Sequence, residues 1–370
     1  MSVYRQAISS IIVCCQMLSL SMLYVWPSST IMAFASKDTP LDRPMTDMEL
    51  NFFGSLFPIM SFVATPLPAY LIDVFGRKKS CLLLAFPQVI AWTLISFCNK
   101  VEIILTAACI GGIAGCQLVI VPLYIVEISQ ENIRGTLTAD SPEEEKLKAD
   151  SITKKKISTL QFIRKSRSTR RGLFLILSIL FLTTIQGMPI VLVYSKPIFH
   201  EAMPSISAST ISILIAMVNL VSGLFSAYML DVVGRRVIFM YSAVVSCISS
   251  IALGTQMVFH FAPSWTIVVY MMVYCISYTI GSGTVPFVLM AELFLPEVKG
   301  ILTVVALEWL WTCTFFTLFL FNPIVKLLGV AILYYFFAFA SLATFVFSYF
   351  YLIETKGLPV NVIQTLLIKK

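Results

Sequence analysis

Apolar and polar positions along this chain fall in long blocks rather than alternating. Ten mostly apolar blocks, at about 8–34, 52–72, 80–98, 103–126, 172–195, 208–230, 237–259, 265–290, 300–321 and 328–352, are each long enough to cross a bilayer as a helix. The first exceeds the apolar core of a signal peptide, lacks a clean small-residue cleavage site and is followed by further spans, so it is expected to be retained. Residues 127–171 form the only long polar stretch, with the runs SPEEEKLKAD, TKKK and RKSRSTRR. The stretch reads as a solvated, partly helical linker whose basic runs suit anionic lipid headgroups better than a nuclear-import receptor. The predicted organisation is an N-terminal bundle at 1–128, a linker at 129–171, a C-terminal bundle at 172–356 and a tail at 357–370.

Composition removes the alternatives. Hydrophobic residues make up 58% of the 370 and charged residues 12%, with a mean hydropathy of +0.90. An ordinary soluble domain carries about 25% charged residues, and a disordered chain needs the opposite balance. An all-α integral membrane protein remains.

The net charge of +7 becomes informative only when mapped onto loops. With the N-terminus inside, Arg5, Arg77, Lys78, Lys79, the basic residues of 134–171, Arg235, Arg236, Lys299, Lys356, Lys369 and Lys370 share one side. Only Lys37, Arg43, Lys100, Lys196 and Lys326 lie on the other. The positive-inside rule then predicts that both termini are cytosolic, a result that one missed or extra span would have scrambled. The charge thus encodes topology, and no nucleic-acid partner is expected.

The nine cysteines show no CxxC pair and lie in or beside apolar blocks, so they read as small hydrophobes rather than as disulfide or metal ligands. His200 and His260 fall in separate outer loops. No phosphate loop, metal spacing or nucleophile motif is present, so neither enzymatic activity, cofactor nor metal is expected.

The chain also repeats itself. Asp73-Val-Phe-Gly76-Arg77-Lys78-Lys79 follows the second block, and Asp231-Val-Val-Gly234-Arg235-Arg236 follows the sixth. Glu127 near the end of the fourth block is followed at fixed offsets by Arg134-Gly135, and Glu292 after the eighth by Lys299-Gly300. Two related bundles around a midplane site are a transporter signature. The halves are unequal: two spans follow Lys299-Gly300, whereas none follows Arg134-Gly135 before the linker. The first half therefore reads as lacking its fifth and sixth helices, an even number whose loss preserves the orientation of everything downstream.

These residues resemble the sugar porters of the major facilitator superfamily, especially the insect facilitated trehalose transporters. The carriers of the resemblance are DVFGRKK at 73–79, PLYIVEISQENIRG at 122–135, DVVGRR at 231–236, GSGTVPFVLMAELF at 281–294, PEVKG at 296–300 and IETKG at 353–357. It covers nearly the whole chain except the linker. It implies a two-bundle fold in the plasma membrane and facilitated transport of a sugar such as trehalose or glucose.

Two readings of the charged motifs stand. One is a gating network on the cytosolic face, formed by Asp73, Gly76, Arg77, Lys78, Glu127, Arg134, Asp231, Gly234, Arg235, Arg236, Glu292, Lys299 and Glu354, whose ion pairs make and break as the bundles rock. The other is a set of charges that only fixes topology. Gly281, Gly283 and Pro286 interrupt the eighth block as a hinge.

By the resemblance, the substrate is met by residues at the positions of Thr183, Thr184, Gln186, Asn219, Phe287 and Glu308. Thr183 and Thr184 stand where the family carries two glutamines, Pro189 where it carries Asn, and Glu308 where it usually carries Asn. An intramembrane carboxylate is a functional candidate, either charged or protonated and hydrogen-bonded. The first block has no acidic residue where proton-coupled relatives carry Asp, which favours uniport. The lost amides and helices predict weak sugar flux. They leave a second reading open: a transport-inactive membrane protein that acts as a sensor or as partner of an intact transporter. The sequence assigns no oligomeric state.

Overall fold

The computed structural model describes residues 3–121, 166–194, 208–295 and 298–369. Among the described residues every regular element is helical. The helices are α1 (Val3–Ala35), α2 (Asp47–Ala64), α3 (Leu67–Phe97), α4 (Val101–Ile113), α5 (Arg167–Ile185), α6 (Ala208–Val233), α7 (Arg235–Phe259), α8 (Trp265–Ile280), α9 (Val285–Leu293), α10 (Lys299–Phe319), α11 (Phe321–Leu328), α12 (Val330–Tyr351) and α13 (Val360–Lys369). A further helical piece covers 188–194.

Nine described helical runs are long and apolar enough to cross a membrane, one fewer than the ten blocks. The difference is α2. Its first turn holds Asp47 and Glu49, which lower its hydropathy, and Pro66 separates it from the start of α3. The same polar turn sets where the helix begins. Thr46 accepts a hydrogen bond from the Glu49 amide, and Glu49 accepts one from the Thr46 amide at 2.8 Å, a reciprocal capping box.

The repeat is written into the backbone. Gly76 sits at φ 74°, ψ 166° and Gly234 at φ 104°, ψ 158°, nearly the same conformation and one reserved for glycine. Each glycine ends one span and starts the next. The break in α3 therefore falls at Gly76, inside the motif.

The structure adds detail at three places. The linker ends earlier than 171: α5 starts at Arg167 because Ser166 caps it, accepting from the Thr169 amide at 3.3 Å. Pro286 does not cost the eighth block an internal hydrogen bond. The helix has already broken at 281–284, and Pro286 lies in the first turn of α9, where no intrahelical donor is needed. The tail at 357–370 contains α13, which docks on α5: Arg171 donates to the carbonyls of Leu367 at 3.0 Å and Ile368 at 2.7 Å, capping the C-terminus of α13.

The halves meet through packing. One buried cluster joins Ile31, Phe34, Phe53 and Ile104 of the first half to Tyr194, Tyr274 and Phe337 of the second. Another places Trp311 of α10 among Leu20, Leu23, Phe57, Ala91 and Ala114. Large apolar side chains such as Leu224, Phe86 and Phe339 are exposed around the outside, as a lipid-facing surface requires.

Candidate functional site

Three places carry the chemistry: the Asp231 end of the bundle, the seam between the halves, and the opposite end near Asp47.

At the Asp231 end, Glu354 accepts from the backbone amides of Arg235 at 2.9 Å and Arg236 at 3.0 Å, so its carboxylate caps the N-terminus of α7. It also accepts from the amides of Thr355 and Lys356. Gly234 permits this approach, since a Cβ there would lie 2.8 Å from a Glu354 oxygen. The Arg235 side chain pairs with Glu292 at 2.8 Å and more loosely with Asp231 at 3.7 Å, and Thr355 donates to Glu292 at 2.6 Å. The Arg236 side chain donates instead to the Tyr349 carbonyl, Lys356 to that of Val232 and Lys299 to that of Ala291.

Of the expected gating residues, the structure thus brings together Asp231, Gly234, Arg235, Arg236, Glu292 and Glu354, all in the second half. In the first half Gly76 makes its turn and Lys78 is exposed. Glu127, Arg134 and the side chains of Asp73 and Arg77 lie outside the described residues.

The expected substrate residues, all in the second half, have unequal surroundings. Thr183 and Thr184 are buried, and their hydroxyls donate to carbonyls of their own helix, Ile179 at 3.0 Å and Leu180 at 2.7 Å. Gln186 is fully buried; its amide donates to Thr344 at 2.7 Å, and its backbone carbonyl accepts from Tyr274. Tyr278 donates to the Thr183 carbonyl. Asn219 accepts from Thr279 at 2.9 Å. Phe287 is exposed on α9, and Glu308 is half-buried on α10 with no ion pair among the described residues.

A run of aromatic contacts leads to the seam and crosses it between Phe57 and Trp311. Tyr24 packs on Phe57 at 5.3 Å between centroids, and Phe57 on Trp311 at 6.0 Å. Trp26 contacts Phe53 at 5.3 Å and Trp92 at 6.4 Å. The position of Gly187, at φ 100°, lets the chain pass against Phe337 and redirects 188–194 so that Tyr194 stacks on Phe321 at 4.3 Å. These rings were not among the residues expected from sequence; the only signal was aromatic enrichment inside apolar blocks.

The opposite end is tied across the halves by polar contacts that sequence reasoning also missed. Lys326 of α11 pairs with Asp47 of α2 at 2.6 Å, and Asn322 donates to Asn51. Phe52 and Phe319 lie 5.8 Å apart beside them. Arg43 braces the first half here, bonding Glu49 at 2.6 Å and Glu102 at 3.1 Å. The Arg43 guanidinium, with help from the Thr46 amide, holds the Glu49 carboxyl down at about 2.

The profile of the family described as "Sugar (and other) transporter" matches residues 21–141 and 138–367. The chain belongs to the sugar porters of the major facilitator superfamily. Among similar proteins, the facilitated trehalose transporter Tret1 of Polypedilum vanderplanki is 22% identical over 445 residues, covering 98% of this chain and 88% of that one. The Tret1 of Apis mellifera ligustica is 20% identical over 430 residues, covering 94% and 85%. In fold, the chain is similar to the inward-open xylose transporter XylE from E. coli, with a TM-score of 0.76 at 17% identity over 98% of this chain and 99% of that one. A crystal structure of a D-xylose-proton symporter gives 0.75 at 18% identity, covering 95% and 98%. This sugar porter is therefore a multi-pass membrane protein whose relatives are transporters.

Proposed function

We propose that this porter moves a sugar such as trehalose or glucose across the plasma membrane by uniport, with both termini in the cytosol and with slow turnover. The observation that carries the reading is the packing of α2 on α10 across the two halves within a family of sugar transporters. The Asp231 end is its cytosolic gating face and the Asp47–Lys326 contact lies outside, so the present conformation is closed outside. The break at 281–284 is the gating hinge. Uptake of labelled trehalose and glucose into vesicles containing the purified chain tests this: saturable flux down a gradient and indifferent to a proton gradient is expected. Flux that rises severalfold with an inward proton gradient would replace uniport by symport.

A second reading, a transport-inactive partner of an intact transporter, is favoured by one observation. The alignment with the Polypedilum protein spans 445 residues, whereas this chain has 370. The relative's extra length is enough for two further spans. Absence of any saturable flux, together with co-purification with a full-length porter, would favour this reading.

A further inference from the structure

The outer face of the second half is hollowed between α6, α7 and α8. A groove of about 480 Å³ runs there, walled by Val233 of α6, by Val237, Tyr241 and Val245 of α7, and by Val273 and Ile276 of α8, all of them exposed. The size suits a small molecule, whose sites hold about 300–1,000 Å³. Ser242 and Ser277 also line it, but their hydroxyls donate to carbonyls of their own helices, Phe239 at 2.9 Å and Tyr274 at 3.0 Å. The groove begins one residue beyond Arg236, where the charged turn marks the edge of the membrane, and follows α7 to Val245, about 12 Å along the helix. The hydrocarbon core is about 30 Å thick, so the groove stays within the leaflet at the Asp231 end. It also abuts the break at 281–284. Ile280, the last residue of α8, lines it; Ser226 of α6 donates to the Ile280 carbonyl at 2.7 Å, and Gly281 packs on Ser242 with no room for a Cβ.

In lipid, apolar surface alone selects nothing, because hydrocarbon chains are as apolar as the groove. Selection needs shape and a hydrogen bond. A flexible acyl chain gives up conformers to lie in a fixed groove, whereas a fused ring system has none to lose. The hydrogen-bonding group is Tyr241, 70% exposed at the rim, whose hydroxyl has no partner among the described residues. It stands six residues from the start of α7, about 9 Å deep. Helical side chains lean towards the helix N-terminus, here back to the boundary where the hydroxyl of a lipid sits. The charges at the mouth balance, Asp231, Glu292 and Glu354 against Arg235, Arg236 and Lys356, and the Asp231 side chain is 81% exposed, so an anionic headgroup finds no hold. We propose that this groove binds a sterol of the adjoining leaflet, its rings against α7 and α8 and its hydroxyl on Tyr241. The proposal goes beyond the sugar-porter reading and does not depend on it.

The test is photolabelling of the full chain in phosphatidylcholine vesicles with a photoactivatable cholesterol analogue, the adducts being mapped to peptides. Acyl chains are then already in large excess. Labelling of 229–245 and 273–280 is expected to saturate, and to fall at least about tenfold with excess cholesterol but not with excess phosphatidylserine. Tyr241→Phe, which keeps the ring and removes the hydroxyl, is expected to weaken binding about threefold to tenfold. Val245→Trp with Val273→Trp fills the groove with side chains that lipid also accepts, and is expected to abolish labelling there. Labelling that does not saturate, that phosphatidylserine displaces equally, or that spreads evenly over the exposed face of α6 overturns the proposal in the unmodified chain, with no variant needing to fold. Undiminished labelling of the folded double tryptophan variant overturns the groove as the site, and undiminished affinity of Tyr241→Phe overturns the role of its hydroxyl.

Discussion

Two glycines at equivalent places in the repeat separate the cost of backbone conformation from that of contact. Both hold a positive φ that a side chain resists, but a Cβ on Gly76 meets nothing within 4 Å, whereas one on Gly234 meets the Glu354 carboxylate at 2.8 Å. Gly76→Ala is expected to destabilise by about 1–3 kcal/mol through strain alone. Gly234→Ala adds displacement of the carboxylate that caps α7 and is expected to lower the melting temperature of the purified protein at least twice as far. Equal shifts would show that the Glu354 cap carries little weight. Glu49 supplies a pH test. Its carboxyl is held below its ordinary value, so its contribution to stability is present above about 4.5 and is lost as pH falls towards about 2. The stability difference between the unmodified protein and Glu49→Gln, followed by melting temperature, is expected to shrink through that window. The effect is small because the pair is partly exposed to solvent. A difference that stays constant with pH would assign the cap to shape rather than charge.

Short helices at span ends decide how the halves engage, and they were the least legible part of the sequence. The spans could be read because lipid demands long apolar runs, and the Gly76 and Gly234 turns because a positive φ leaves a residue signature. The α11 contacts could not be read: Asp47 and Lys326 are far apart in sequence and look like ordinary loop charges. Helix α13 is too short to announce itself, and its docking depends on Arg171 meeting carbonyl groups that no pattern shows. The substrate residues were carried by resemblance, and local geometry then spent the hydroxyls of Thr183 and Thr184 on their own helix. As an exposed pair, Asp47–Lys326 is worth only about 0–1 kcal/mol, so Lys326→Ala alone is expected to shift the gating equilibrium by no more than a few fold. Covalent closure has a much larger effect. Asp47→Cys with Lys326→Cys, oxidised in vesicles, is expected to abolish sugar exchange, and reduction to restore it. Exchange that survives quantitative cross-linking would show that this end does not open during transport.

At the scale of the whole molecule the two seams are unequal. Helix α2 packs against α10, the second span of one half on the fifth of the other. The repeat places α6 in the position of α2, and its counterpart would be the fifth span of the first half. Residues 122–165 contain no apolar run able to supply that span beyond the end of the fourth block. Accordingly α6 packs on α8 and, to a lesser extent, α7, and leaves Ile213, Met217, Leu220, Leu224 and Tyr228 exposed. Lipid accepts these side chains, and if the first half lacks its fifth and sixth helices, one wall of the central path would be lipid rather than protein. A rocking carrier needs both walls to exclude the bilayer from a hydroxylated substrate, and the polar groups that remain are few. The expected consequence is saturable trehalose flux at least about tenfold slower than that of the Polypedilum relative measured in the same vesicles, equivalent to about 1.4 kcal/mol on the transport barrier. Thr183→Gln with Thr184→Gln is expected not to restore it, because both positions are buried at 2–3% exposure and a longer amide would overpack the α5 core. Flux equal to that of the relative would show that an open α6 face is compatible with full transport. Recovery by the double glutamine variant would place the deficit in hydrogen bonding rather than in the missing wall.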